Sequence, residues 1–163
     1  MTTNIEQAGT DSIQIIQQIV RKTWPVTYGP ILSAEQIDYM LDMIYSTPAL
    51  EKQFSEMHKY YLLKEADQVV GFIDLQQYAD HCIKLHKIYL LPEHQGKGYG
   101  RKLMDYAIEQ AKSTCNSHLL LNVNRYNKAL DFYQKMGFKI KEEVDTSIGQ
   151  GYFMNDFVLE LAL

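Results

Sequence analysis

Cysteine, tryptophan and long hydrophobic runs are scarce in this sequence. Its 163 residues include 2 cysteines, 4 prolines and 1 tryptophan. Cys82 and Cys115 are isolated, which fits no metal-site spacing and is typical of a reducing compartment. No apolar run approaches the roughly 20 residues that span a bilayer, and the N-terminal residues MTTNIEQ lack the features of a signal peptide. We therefore expect a cytoplasmic protein with no membrane partner and no metal.

Positively charged residues are also fewer than negatively charged ones. Lysine and arginine number 16 against 20 aspartates and glutamates, which gives a net charge of −4 at pH 7. Because no basic tail or stripe is present, we expect no nucleic-acid partner. The length and the hydrophobic fraction of 46% indicate a globular chain that buries a core. Since repeats and linkers are absent, the sequence predicts one domain over residues 1–163.

Glycine is concentrated between a predicted strand, residues 83–91, and a predicted helix, residues 99–113. Without a Cβ atom, glycine lets the backbone turn tightly and approach a ligand closely. The unpaired N–H groups and positive pole of the helix start favour a phosphate. We expect this segment to bind a pyrophosphate through Gln95, Gly96, Lys97, Gly98, Tyr99, Gly100, Arg101 and Lys102.

Two common pyrophosphate loops do not match these residues. A dinucleotide-binding fingerprint requires a third glycine where this chain has Arg101. A Walker-type loop requires serine or threonine after Gly-Lys, but Lys97 is followed by Gly98. The segment instead fits the pattern Gln-x-x-Gly-x-Gly, which runs from Gln95 to Gly100.

A second motif follows a predicted apolar strand at Leu119–Val123. It reads Asn-x-x-Ala-x-x-Phe-Tyr-x-x-x-Gly-Phe and runs from Asn127 to Phe138. Its apolar residues have helical spacing, and Gly137 is placed to end the helix as a C-cap. The two motifs, in this order and separated by one helix, resemble those of the GNAT acetyltransferase superfamily.

The predicted element order is βααα-βββ-αβ-αββ, which is also the GNAT order. It indicates an α/β (α+β) fold with helices on both faces of a mixed, mostly antiparallel sheet. The resemblance implies that two parallel strands, around Ile88–Leu90 and Leu119–Val123, splay apart. Trp24-Pro25 is expected to end the first helix, and the strand after the second motif is expected to end near Val144.

The resemblance implies acetyl-CoA as the cosubstrate and an amine as the acetyl acceptor. The backbone of Ile88, Tyr89 and Leu90 would pair with the pantetheine arm, and one N–H would polarise the thioester carbonyl. Asn127 would hydrogen-bond the pantetheine, and the glycine loop would hold the pyrophosphate.

Two catalytic roles also follow from the resemblance. Tyr133 falls on the tyrosine that serves as general acid toward the CoA sulfur; the alternative is a core tyrosine with a satisfied hydroxyl. His86 falls on the strand where some members place the base that takes the amine proton. Its alternative is an inert histidine on a strand face. The other histidines are expected at the surface.

The acceptor is the least defined part of the prediction. Residues 31–58 carry five acids against one lysine, and an acidic rim would attract a polyamine or diamine. Trp24, Tyr28 and Tyr152 are candidates for its aromatic walls. A protein N-terminus, as in ribosomal-protein acetyltransferases, is the alternative acceptor. A CoA-binding regulatory module without turnover and a nucleotide-binding regulator also stay open, as does a homodimer, since dimers are common in the superfamily.

Overall fold

The computed structural model describes residues 2–163. The sheet contains seven strands: β1 Thr3–Ala8, β2 Lys59–Glu65, β3 Gln68–Ala79, β4 Cys82–Leu90, β5 His118–Asn124, β6 Lys139–Gly149 and β7 Tyr152–Ala162. The helices are α1 Ile13–Tyr28, α2 Ala34–Tyr45, α3 Thr47–Ser55, α4 Tyr99–Ser113 and α5 Ala129–Lys135. This order confirms the one predicted from the sequence. None of the helices in this part of the chain is both long enough and apolar enough to cross a membrane.

The strands form one mixed sheet in the order β1-β2-β3-β4-β5-β7-β6. Every neighbouring pair is antiparallel except β4 and β5. The parallel pairing is short, since it joins Cys82 to His118, Ile83 to Leu119 and Lys84 to Leu120 and then ends. Beyond these pairs β4 and β5 diverge, which confirms the predicted splay and opens a cleft between them.

Both faces of the sheet are covered by helices. Because successive strand residues point to opposite faces, Tyr61 and Leu63 of β2 join one core with α4, while Tyr60 and Leu62 join another with α1 and α2. Both cores pack against β4, and β5 contributes to the core with α4. This arrangement confirms the predicted fold class.

The first helix does not end at Trp24-Pro25, so that prediction is wrong. Helix α1 continues to Tyr28 with Pro25 inside it. Pro25 has no N–H to donate, which costs one helical hydrogen bond. Trp24, however, is 3% exposed, and its ring centroid lies 4.6 Å from that of Tyr28. Burial of Trp24 and the packing of Tyr28 against it favour continuation of the helix, which places both rings next to β4.

The sixth strand is longer than predicted. It continues past Val144 to Gly149 and pairs with β7 along its length. Most of its residues are exposed because β6 is the edge of the sheet. An exposed edge strand needs no apolar alternation, so the sequence carries little signal for its end.

Candidate functional site

The cleft between β4 and β5 encloses a cavity of about 770 Å³. The residues 85–90 of β4 form one wall and 121–123 of β5 the other. Tyr28 of α1 and Tyr133 of α5 complete it from the two faces of the sheet. Since β4 and β5 do not pair with each other here, the main-chain N–H and C=O groups on their facing edges are left for a bound chain to use.

The glycine loop forms one end of this cavity. Gly96 and Gly98 have φ angles of +80° and +82°, which L-residues with side chains rarely adopt. A Cβ atom at either position would meet no heavy atom within 4 Å, so the loop borders open space. Gly98 directly precedes α4, and Gly100 and Arg101 also line the cavity. An anion here would therefore meet the free N–H groups of the α4 start.

Three predicted residues of this loop direct their side chains elsewhere. Lys97 and Tyr99 both contact Glu65, the first with its ammonium at 3.6 Å and the second through a hydrogen bond from its hydroxyl. The Lys102 ammonium donates to the Thr3 hydroxyl at 2.6 Å. None of these three lines the cavity. Because β1 and β2 supply these partners, the three side chains are directed away from the cavity.

Asn127 lies in the cavity wall two residues before α5 begins at Ala129. Its side-chain oxygen accepts a hydrogen bond from the backbone N–H of Ala129 at 2.9 Å. This bond satisfies an N–H at the helix start, and the helix therefore begins at Ala129 instead of at Asn127. The amide nitrogen and the second lone pair of the oxygen are the groups that Asn127 offers to a ligand.

Tyr133 is 7% exposed and forms part of the same wall. Its ring packs edge-on against Phe132 and Phe138, with centroid distances of 5.5 and 6.0 Å. Burial raises the pKa of the Tyr133 hydroxyl above its ordinary value. The hydroxyl therefore keeps its proton at pH 7 and can donate it or share it.

The hydrogen bonds of His86 define which ring nitrogen carries the proton. Its Nε2 lies 2.9 Å from Oε1 of Gln76, and Nε2 of Gln76 donates to the backbone carbonyl of Glu56 at 2.9 Å. A carbonyl only accepts, so Gln76 must present its NH₂ to Glu56 and its oxygen to His86. Nε2 of His86 is then protonated, and the lone pair of the neutral ring is on Nδ1.

A histidine that serves as a base was expected to have a pKa near neutrality, but the pKa of His86 lies well below it. Burial lowers the pKa of His86 to about 3; the Asp74 charge opposes the fall, and the charges of His58, Lys87 and Lys84 add to it. The ring is therefore neutral at pH 7. It can accept a hydrogen bond at Nδ1, but it holds a transferred proton weakly.

A buried charged cluster lies beside His86. The Asp74 carboxylate is fully buried, 2.7 Å from Nδ1 of His58 and 2.8 Å from Nζ of Lys87. Burial alone would raise the pKa of Asp74, but the hydrogen bond from His58 and the charge of Lys87 outweigh it and lower the pKa. The His58 ring stacks 4.5 Å from that of His86. His58 was expected at the surface, and that prediction is wrong. The sequence signal for this cluster is the presence of opposite charges, Asp74 and Lys87, within two apolar strands.

A second cavity, of about 330 Å³, adjoins the first. The two cavities share one wall, made of Tyr28, His86, Lys87, Tyr89 and Asn122. Aromatic, aliphatic and thioether side chains make up most of the remaining wall, from Trp24, Leu32, Met40, Met43, Ile44, Tyr45 and Met154. Two molecules bound in the two cavities would therefore lie next to each other beside these shared residues.

The predicted acceptor residues divide between this cavity and the surface. Trp24 and Tyr28 line the second cavity, and the Tyr28 and Tyr89 hydroxyls are 3.0 Å apart. Tyr152 lines neither cavity, because it begins β7 and packs 5.3 Å from the ring of Tyr39 on α2. The five acids of residues 31–58 are all exposed, and none lines either cavity. The acidic rim therefore faces water, and Tyr152 has no support as an acceptor residue.

The described residues contain no group of three or more histidine, cysteine, aspartate or glutamate side chains that could hold a metal ion.

The cleft, the glycine loop and the asparagine before α5 form one continuous surface around the larger cavity. This geometry suits a long, anionic ligand with an extended arm.

Comparisons with known proteins agree with this geometry. Residues 56–140, just over half of the chain, match the family model of the acetyltransferase (GNAT) domain. The spermidine N(1)-acetyltransferase of Thermoplasma acidophilum is 29% identical, over 98% of this chain and 97% of that protein. The ribosomal protein bS18-alanine N-acetyltransferase of Haemophilus influenzae is 34% identical, over 62% of this chain and 66% of that protein.

A solved structure covers the whole fold. The PaiA N-acetyltransferase from Thermoplasma acidophilum, in complex with coenzyme A, superposes with a TM-score of 0.85 and 25% identity, and the match covers 100% of both chains. The family match and the splayed β4–β5 cleft together show that this chain belongs to the GNAT family and is an acetyl-CoA-dependent N-acetyltransferase.

Proposed function

We propose that this enzyme transfers the acetyl group of acetyl-CoA to a primary amine of a small aliphatic polyamine or diamine. The observation that carries the proposal is the pair of cavities that share one wall. The larger suits the cofactor, and the smaller has the apolar and aromatic walls that suit a methylene chain. A spermidine acetyltransferase that matches nearly the whole chain supports this acceptor class.

Three observations support acetyl-CoA as the ligand of the larger cavity. The open space beside Gly96 and Gly98 leaves room for a pyrophosphate, which Gln95, Arg101 and the first N–H groups of α4 would hold. The backbone edge of residues 88–90 that faces β5 would pair with the pantetheine arm, and the Asn127 amide would bind the same arm. When bound there, acetyl-CoA supplies an acyl group activated as a thioester.

The residues of the shared wall provide the remaining chemistry. Only a neutral amine attacks an acyl carbon. Nδ1 of His86, which holds a lone pair, accepts a hydrogen bond from this amine and orients it. A backbone N–H of Tyr89 or Leu90 donates to the acyl oxygen. As the C–S bond breaks, the Tyr133 hydroxyl would donate its proton to the departing sulfur, and the proton that the amine nitrogen loses as the amide forms would return to the Tyr133 oxygen through solvent.

Tyr133→Phe tests this assignment of the acid. Loss of the hydroxyl should lower turnover of spermidine by at least about tenfold, since positioned proton donors contribute that much or more. The affinity for CoA should stay nearly unchanged, because the ring and its packing remain. Thiol release from acetyl-CoA gives the turnover, and calorimetric titration with CoA gives the affinity.

A peptide with an N-terminal alanine provides the second acceptor for the same assay. The wild-type enzyme should acetylate spermidine in preference to the peptide. Turnover of the peptide alone would replace the proposed acceptor with a protein N-terminus, the substrate class of the bS18-alanine relative. Full activity of Tyr133→Phe would remove Tyr133 as the acid.

A further inference from the structure

One buried carboxylate of the second cavity has no ionic partner. Asp156 is 5% exposed and, of the described residues lining this cavity, it alone carries a carboxylate. Its backbone lies between paired strands, opposite Asn124 of β5 and Val144 of β6. The side chain therefore stands on the sheet face, on the same side as Met154, two residues earlier, which also lines the cavity.

Asp74 and Asp156 are both buried acids, but their surroundings differ. Asp74 is paired with Lys87 and His58, and its pKa is lowered. Asp156 makes no ion pair with any of residues 2–163. Burial raises its pKa, and the Asn122 amide and nearby cationic side chains offset that rise only in part. Asp74 is thus satisfied within the fold, whereas Asp156 is a buried carboxyl without an ionic partner, and a cation bound beside it would favour its charged form.

Lys84 also lines this cavity, and its charge offsets part of the rise in the Asp156 pKa without forming an ion pair. The two side chains make no ion pair, and the Lys84 ammonium lies 5.2 Å from the ring centroid of Tyr78. Burial lowers the pKa of Lys84. A cationic ligand group would therefore find the Asp156 carboxylate without a competing direct contact.

We propose that Asp156 binds the non-reacting ammonium of the acceptor, so that the second cavity selects amines that carry two positive charges. This inference rests on the proposed function and adds the residue that distinguishes a diamine from a monoamine. Asp156 lines only the second cavity, whereas His86 lies in the shared wall. The amine next to His86 is the one that reacts, and the ammonium next to Asp156 holds the acceptor in the second cavity.

The chemistry of the two ends favours this orientation. A carboxylate stabilises the ammonium form of an amine beside it, and an ammonium has no lone pair with which to attack. The reacting end therefore belongs next to a neutral group, which His86 is at pH 7, and the charged end next to Asp156. The apolar side chains of Met40, Ile44 and Met154 line the cavity as a surface for the methylene chain.

Putrescine and butylamine provide the test, since they share a four-carbon chain and differ in one amine. The wild-type enzyme should have the higher kcat/KM for putrescine. In Asp156→Asn the putrescine-to-butylamine ratio should fall by about 100-fold, as expected for loss of a buried charge partner. Glu160→Gln is the matched control, because it removes an acid from the same strand outside both cavities; its ratio should equal that of the wild type. A ratio measured on one preparation does not depend on the fraction of folded enzyme.

Calorimetric titration of putrescine into the CoA-bound enzyme separates this inference from the proposed function. Putrescine binding that is lost in Asp156→Asn supports the anchor even if no amine is acetylated, an outcome that would reject the proposed acceptor reaction alone. An unchanged ratio and unchanged putrescine affinity in Asp156→Asn would overturn the anchor while leaving amine acetylation intact. An equal loss for both amines would overturn it too, because it would place Asp156 at the reacting end.

Discussion

Gly98→Asp should reduce the affinity for acetyl-CoA by at least about 100-fold. The φ angle of Gly98 is +82°, a conformation that costs a residue with a side chain roughly 1–2 kcal/mol. The larger effect is electrostatic, because the new carboxylate would extend into the open space where the pyrophosphate is proposed to bind. Like charges this close repel strongly in a partly enclosed site. Calorimetric titration with CoA measures the change.

Gly151→Asp is the matched control for this substitution. Gly151 has a φ angle of +77° and open space around a Cβ position, but it lies in the turn between β6 and β7, outside both cavities. Both variants carry the same strain and the same added charge, so only the Gly98 variant should lose CoA affinity. Equal affinities in the two variants would show that the pyrophosphate binds elsewhere.

Asp74→Asn should lower the free energy of unfolding by about 3–5 kcal/mol, the usual effect of removing one partner from a buried ion pair. The substitution leaves the Lys87 ammonium buried without its counter-charge. The folded-state pKa of Asp74 is lowered, so its stabilising contribution is complete above the unfolded-state pKa and is lost as the pH falls through the folded-state pKa. Urea denaturation at pH 7 therefore measures the full effect.

Two further variants show that the effect comes from the buried pair. Glu6→Gln breaks the more exposed ion pair with Lys64 on the same sheet and should cost less than about 1 kcal/mol. Adding Lys87→Met to Asp74→Asn should recover part of the loss, because the unpaired buried charge is then removed. A loss in Asp74→Asn no larger than in Glu6→Gln would contradict this view of the cluster.

The sequence carried most of the information about the cofactor side of the site. Local signals were sufficient there, because the glycine loop and the helix after Asn127 are each formed by consecutive residues. The cavity indeed brings together the backbone of residues 88–90, the loop glycines and Tyr133. The positions of the Lys97 and Lys102 side chains could not be predicted from local signals, because their partners Glu65 and Thr3 lie far away in sequence.

The acceptor side depends on long-range packing and was harder to predict. Tyr152 and Asp156 are on the same strand, but the turn position of Tyr152 removes it from the cavity that Asp156 lines. The cluster around Asp74 forms only when His58 and Lys87 are brought to it by neighbouring strands. Acids in residues 31–58 suggested a charged rim, but their helices turn those side chains to solvent. Strand register and helix orientation, which set these positions, are not local properties of the sequence.

Amide hydrogen exchange with and without acetyl-CoA tests most directly whether the β4–β5 cleft holds the cofactor. Binding of acetyl-CoA should slow exchange in peptides that cover residues 85–91 and 95–103. Peptides from β1 and β6 should be unchanged, because neither strand borders the cleft. Unchanged exchange in both cleft segments at saturating acetyl-CoA would show that the cofactor does not bind in the β4–β5 cleft.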